Sequence, residues 1–106
     1  MFNHNIVYTL ITAASSAKAH QVKNQLQTQT VLLGDYLDLP EVMIKAGKMV
    51  KLPDPGKEAY PHQMLAFCLD YNVNTVYVLR NEEAQALAPA GLLFKEYGID
   101  IIASYD

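Results

Sequence analysis

The sequence predicts an α/β domain: one Rossmann-like open sheet of five parallel strands in the order 3-2-1-4-5, with helices on both faces. Three observations lead there. Residues 48–80 read in one pass as strand, loop, helix and strand, which form a right-handed parallel unit. The strand-sized runs at 5–12 and 75–79 are β-branched, aromatic and almost continuously apolar, as strands covered on both faces should be. The same alternation extends through the rest of the chain without a long linker, a repeat or a low-complexity segment. At 106 residues the chain forms a single domain, 1–106, with one modest core.

The first strand, 5–12, belongs at the centre of the sheet. Ala13-Ala14-Ser15-Ser16-Ala17 follows, small enough for a tight turn, and either serine suits the cap of a helix over about 18–27. Ala19, Val22 and Leu26 face inward from that helix at helical spacing. A dinucleotide-binding fold would place G-x-G-x-x-G here, but this loop contains no glycine, so that fingerprint is absent. The hydroxyls of Ser15 and Ser16, with the helix N-terminus, still suit a small anion.

The second strand, 30–33, is closed by Gly34-Asp35. Asp35 stands where nucleotide-binding folds carry a ribose-binding carboxylate, and it equally suits a turn. A short helix over 41–46 follows, with Asp38 or Leu39 flanking its start, Pro40 near its first position and Gly47 beyond its end. The third strand, 49–52, is broken by Pro53-Asp54-Pro55-Gly56. Pro61 suits the first turn of the third helix, where its missing N–H costs nothing. Met64, Leu65, Phe67, Cys68 and Leu69 give that helix a broad apolar face, and Tyr71-Asn72 ends it. After the fourth strand, 75–79, Asn81 is a good N-cap, and Glu82 and Glu83 complement the helix dipole. Pro89 forces a kink or break. A further helical piece, 90–97, carries Leu92, Leu93 and Phe94, Gly98 stops it, and 99–104 is the last strand.

Composition removes several function classes. Eight Lys and Arg are scattered through a chain of net charge −3, which argues against a nucleic-acid partner. The lone Cys68 rules out a disulfide framework or cysteine metal site and reads as a small core hydrophobe. His4, His20 and His62 lack ligand spacing, so no metal is expected. Without a basic n-region or a bilayer-length apolar run, no membrane partner is expected and a cytoplasmic location is the default. Ser16 and His20 lie one helical turn apart, yet no G-x-S-x-G elbow or third orienting group accompanies them, so no catalytic residue is assigned.

The predicted strand order reverses between the first and fourth strands, and ligands of such sheets bind at the carboxyl ends of strands near the reversal. Residues 12–16, Asp35, Tyr36, Pro53, Asp54 and 80–82 lie there. The candidate ligand cleft is therefore Ser15, Ser16, Asp35, Arg80, Asn81 and Glu82. Arg80 suits a carboxylate or phosphate as a bidentate fork, or pairs with Asp35 or Asp54 across the sheet end. Tyr36, Tyr60 and Tyr105 would line the cleft, and seven tyrosines with no tryptophan suit a contact surface. No cofactor is expected, with weak nucleotide binding as the alternative.

Residues 51–104 resemble the N-terminal, pre-ATP-grasp domain of ATP-grasp enzymes of the carbamoyl-phosphate-synthetase and biotin-carboxylase type. The matching features are the strand ending in Leu52-Pro53, the helix with Met64-Leu65-Ala66-Phe67-Cys68, and Asn74-Thr75-Val76-Tyr77-Val78. They continue through Asn81-Glu82-Glu83, Leu87-Ala88 and Phe94-Lys95-Glu96-Tyr97-Gly98-Ile99. Asp35 and Asp38-Leu39-Pro40 are similar to the family's passage from its second to its third strand. The first loop departs from the family, where glycine is frequent. The resemblance implies a domain that does not hold ATP by itself. In the family the two following domains grip the nucleotide and supply the magnesium carboxylates and phosphate-binding lysines, while this one walls the acceptor-substrate site. The chain stops at Asp106, about where the next domain would begin, so the expectation is a stand-alone, non-catalytic pre-ATP-grasp-like domain. It would act by pairing with itself through the apolar fifth strand, as a homodimer, or by joining a separate ATP-grasp protein. The alternative is a small-molecule or nucleotide-binding module around Ser15, Asp35 and Arg80. An enzyme acting alone is the least supported reading, since no nucleophile, base and orienting group assemble from these residues.

Overall fold

Along β1 (Tyr8–Ile11), Leu10 and Ile11 are both fully buried yet belong to different apolar clusters, because successive side chains point to opposite faces of a sheet. The same alternation places Leu32 and Leu33 of β2 (Thr30–Asp35) and Val50 and Met49 of β3 (Met49–Lys51) on opposite faces. In the computed structural model, which describes residues 6–104, both faces are covered. One carries α1 (Ala17–Gln25) and α2 (Glu41–Lys45). The other carries α3 (Tyr60–Asp70), α4 (Asn81–Leu87) and α5 (Gly91–Glu96). With β4 (Val73–Val78) and β5 (Asp100–Ala103), the sheet has five strands in the order β3-β2-β1-β4-β5, every neighbouring pair parallel. The predicted topology is the observed one. β1 is central, so the strand order reverses between β1 and β4.

The larger cluster packs Tyr60, Met64, Leu65 and Cys68 of α3, Leu87 of α4 and Phe94 of α5 onto Leu10, Val76 and Val78. Leu69, expected on the apolar face of α3, is instead 48% exposed, because it lies beyond the arc set by Met64, Leu65 and Cys68. Leu92 is 80% exposed on α5, beside the buried Phe94. Cys68 has no exposed surface, and burial pushes its thiol up to about 12.

Helix ends follow local chemistry. Ser16 Oγ accepts from Ala19 N at 3.1 Å and donates to Ala13 O at 2.8 Å, so this serine is the cap of α1. Gly47, Asn72 and Gly98 take φ of 73°, 56° and 75° just past α2, α3 and α5, where left-handed backbone terminates a helix. Pro61 occupies the first turn of α3. The break at Pro89 is a 3-10 turn, Ala88–Ala90, between α4 and α5.

Several boundaries move. Gly34 and Asp35 do not close a turn but continue β2, where Gly34 and Asp35 pair with Val50 and Lys51. A side chain at Gly34 would place its Cβ 2.8 Å from Leu52 Cγ, so the strand passes β3 with no room for one. Pro40 is the N-cap of α2 rather than its first residue. Asn81 is the first residue of α4, and Arg80, extended at φ −111° and ψ 134°, holds the cap position. β1 begins at Tyr8 within the predicted 5–12, of which Asn5 lies outside the described residues, as do His4 and Tyr105. Among the described residues, no helix is long and apolar enough to cross a membrane.

Candidate functional site

A parallel sheet brings all its strand ends of one polarity to one edge, so the residues leaving β1, β2 and β4 meet although they lie far apart in sequence. Thr12 leaves β1, Asp35 ends β2, and Arg80 enters α4 two residues past β4. Asp35 is 1% exposed and Arg80 Nη2 lies 2.8 Å from its Oδ2, so the arginine pairs with Asp35 and not with Asp54. Asp54 instead accepts from Gly56 N at 2.8 Å in its own loop. Asp35 Oδ1 also accepts from Leu37 N at 3.2 Å, so one carboxylate both pairs with Arg80 and holds the backbone that leaves β2. Its hydrogen bond and charge push the Arg80 guanidinium still higher than its ordinary range. The Arg80 guanidinium sits 5.5 Å from the Tyr36 ring centroid, within cation–π range.

Tyr36 follows β2 and Glu82 opens α4, on opposite sides of β1. The Tyr36 hydroxyl donates to Glu82 Oε2 at 2.7 Å, an exposed bond that crosses the end of β1. This bond raises the Tyr36 phenol and lowers the Glu82 carboxyl.

Near these residues stands Glu83, which the sequence places only at the helix dipole and not at the site. Glu83 has no exposed surface, and among the described residues neither of its carboxyl oxygens has a hydrogen-bond partner. Burial pushes its carboxyl up to about 7, while the Thr12 hydroxyl holds it back without reaching hydrogen-bond geometry. Thr12 Oγ1 accepts from Leu79 N at 2.9 Å, which leaves its proton directed elsewhere. The Tyr60 hydroxyl is likewise buried and unpartnered, and desolvation with the nearby Glu83 charge raises it. Arg80 Nε completes the unpartnered set. Each such group costs about 1–3 kcal/mol when left unsatisfied, so their concentration at one sheet edge is a liability the fold tolerates at this place.

Of the six cleft residues predicted from sequence, the structure brings together Asp35, Arg80 and Glu82. Ser16 is spent on its cap, and Ser15 stands exposed on the loop. Asn81 is exposed and accepts from Gln85 Nε2 at 3.2 Å, one turn along α4 and outside the cluster. Tyr36 stands at this edge in contact with Arg80 and Glu82, whereas Tyr60 lies wholly within the core. The signal for Glu83 was its spacing: it lies four residues before the buried Leu87, on the inward face of α4, and Glu82 does not. His20 and His62 are exposed, and among the described residues no group of three or more His, Cys, Asp or Glu is placed to hold a metal ion. No family model matches this chain, and no curated protein matches it.

Proposed function

We propose that this chain is a non-catalytic, pre-ATP-grasp-like domain of the cytoplasm that works by association, pairing with a second copy of itself or joining a separate ATP-grasp protein. The observation that carries the reading is the free side of β5. Among the described residues this strand pairs only with β4, Ile102 on it is 38% exposed, and Leu92 of the neighbouring α5 is 80% exposed. A surface groove of about 640 Å³ runs between them, with Lys95 and Asp100 on its walls. Two copies related by a two-fold axis would join their sheets through β5 and cover both leucines. The test is solution mass by light scattering across a range of concentrations. A dimer reduced to a monomer by Ile102→Lys is the expected result; a wild-type monomer throughout removes self-association.

A second reading, a small-molecule-binding module, is favoured by a separate observation: the unpartnered buried atoms of Glu83, Tyr60 and Arg80 at the strand-order reversal. Thermal unfolding with a panel of nucleotides and carboxylates tests it. A midpoint raised by one compound and not raised in Arg80→Ala supports a ligand at this edge.

A further inference from the structure

On the face that carries the two N-terminal helices, α1 packs on β1 and α2 packs on β3, so β2 between them is roofed only in part. The gap is a crevice of about 490 Å³, a volume suited to a small molecule. Its floor is apolar. Leu33 and Met49, register partners on β2 and β3, are each 6% exposed, and Val31 lies half-buried beside them. Met43 of α2 forms a wall, and its unbranched thioether adapts to the shape of an occupant. The short α2 buries none of its own residues completely, which leaves this side of the crevice loosely packed.

The rim carries charge of one sign. His20 and Lys23 stand three residues apart on one flank of α1. Lys48 comes from the turn after α2, where its backbone N donates to Met43 O at 3.0 Å and Gly47 takes left-handed backbone. Among the described residues neither Lys23 nor Lys48 is in an ion pair, whereas Lys45 is paired with Glu41 at 3.0 Å and Lys51 with Asp38 at 3.7 Å. No acidic side chain lines the crevice, although the chain carries 11 Asp and Glu against 8 Lys and Arg. Unpaired ammonium groups over an apolar floor match a ligand divided in the same way. Both lysines stand at helix carboxyl ends, whose partial negative charge makes a singly charged head a better fit than phosphate. We propose that this crevice binds a small organic carboxylate, its apolar body on Leu33, Met43 and Met49 and its head held by Lys23 and Lys48. Val31 and Met49 lie where β2 and β3 begin, at the opposite edge of the sheet from Asp35 and Arg80. The carboxylate site therefore depends neither on self-association through β5 nor on a ligand at the strand-order reversal.

The experiment follows backbone amide shifts of the whole chain by NMR during separate titrations with hexanoate, butyrate, hexan-1-ol and hexylammonium. Hexanoate should give saturable shifts at Val31, Leu33, Met43 and Met49, and it should bind at least about fivefold tighter than butyrate, because two more methylenes leave water. Replacing both lysines, Lys23→Gln with Lys48→Gln, should weaken hexanoate by about tenfold or more. Both side chains are exposed, so the double variant should keep the dispersion of the wild-type spectrum. The wild-type comparison of hexanoate with hexylammonium tests the charge without any variant. Hexan-1-ol or hexylammonium binding as tightly as hexanoate overturns the carboxylate. A hexanoate response unchanged in the double variant overturns the role of the two lysines. No saturable hexanoate response in wild type, or one confined to amides at the Asp35 and Arg80 edge, overturns the site.

Discussion

A carboxyl group with no exposed surface and no hydrogen-bonded partner holds its proton longer than one in water, and Glu83 is such a group. Unfolded, it titrates near 4.5; folded, near about 7. Between those values the folded state keeps a proton that the unfolded state has lost, so stability falls as pH rises. This contribution is complete below 4.5 and lost through about 7, amounting to roughly 3 kcal/mol in all. Denaturant unfolding across that window should show the decline in wild type, and Glu83→Gln should remove it. The exposed Glu82, whose carboxyl is lowered, acts in the opposite sense in acid, weakly because solvent screens it. The Asp35–Arg80 pair is a different case, with one partner almost fully enclosed. Arg80→Met should destabilise by about 2–4 kcal/mol, since it strands a buried carboxylate, and Asp35→Asn in the same chain should recover part of the loss. The sequence left Asp35 and Asp54 both open as partners of Arg80, and the strand order, which puts the ends of the second and fourth strands on either side of the first, brings Asp35 within reach. The inward turn of Glu83 was not, because an acidic first turn has a sufficient explanation in the helix dipole.

Elements were the most legible level, since hydrophobic periodicity and punctuating Gly, Pro and Ser act locally. Ser16→Ala should cost about 1 kcal/mol by stripping the cap of α1, and no ligand response should change with it, as its hydroxyl is committed to Ala13 and Ala19. The boundaries that moved did so for long-range reasons. A glycine after an apolar run reads as a turn, yet Gly34 continues β2 because Leu52, arriving from beyond β3, needs its missing side chain. Gly34→Ala should therefore destabilise by about 1–3 kcal/mol. Trimming the obstruction tests the cause: in a double-mutant cycle with Leu52→Ala, the double variant should lose less than the sum of the two single losses. Likewise the cap of α4 falls at Arg80 and not at Asn81, a choice made by extended backbone leaving the sheet rather than by the better capping side chain.

At the scale of the whole molecule, the alternating strands and the parallel order place two apolar layers against one sheet, and that much followed from pattern alone. The site followed only in part: the strand order brings Asp35, Arg80 and Glu82 to one edge, while the inward Glu83 shows itself only when α4 packs on the assembled sheet. The enclosed sulfur of α3 gives this architecture a practical property. Cys68 is the chain's one cysteine, has no exposed surface and is held as an unreactive thiol. Against a thiol-reactive dye the folded protein should be silent, and each labelling event should record one opening of the core. If α3 leaves the sheet only when the whole domain unfolds, the labelling rate should give the same free energy as bulk denaturation at every denaturant concentration. A faster rate would mark α3 as a part that detaches first.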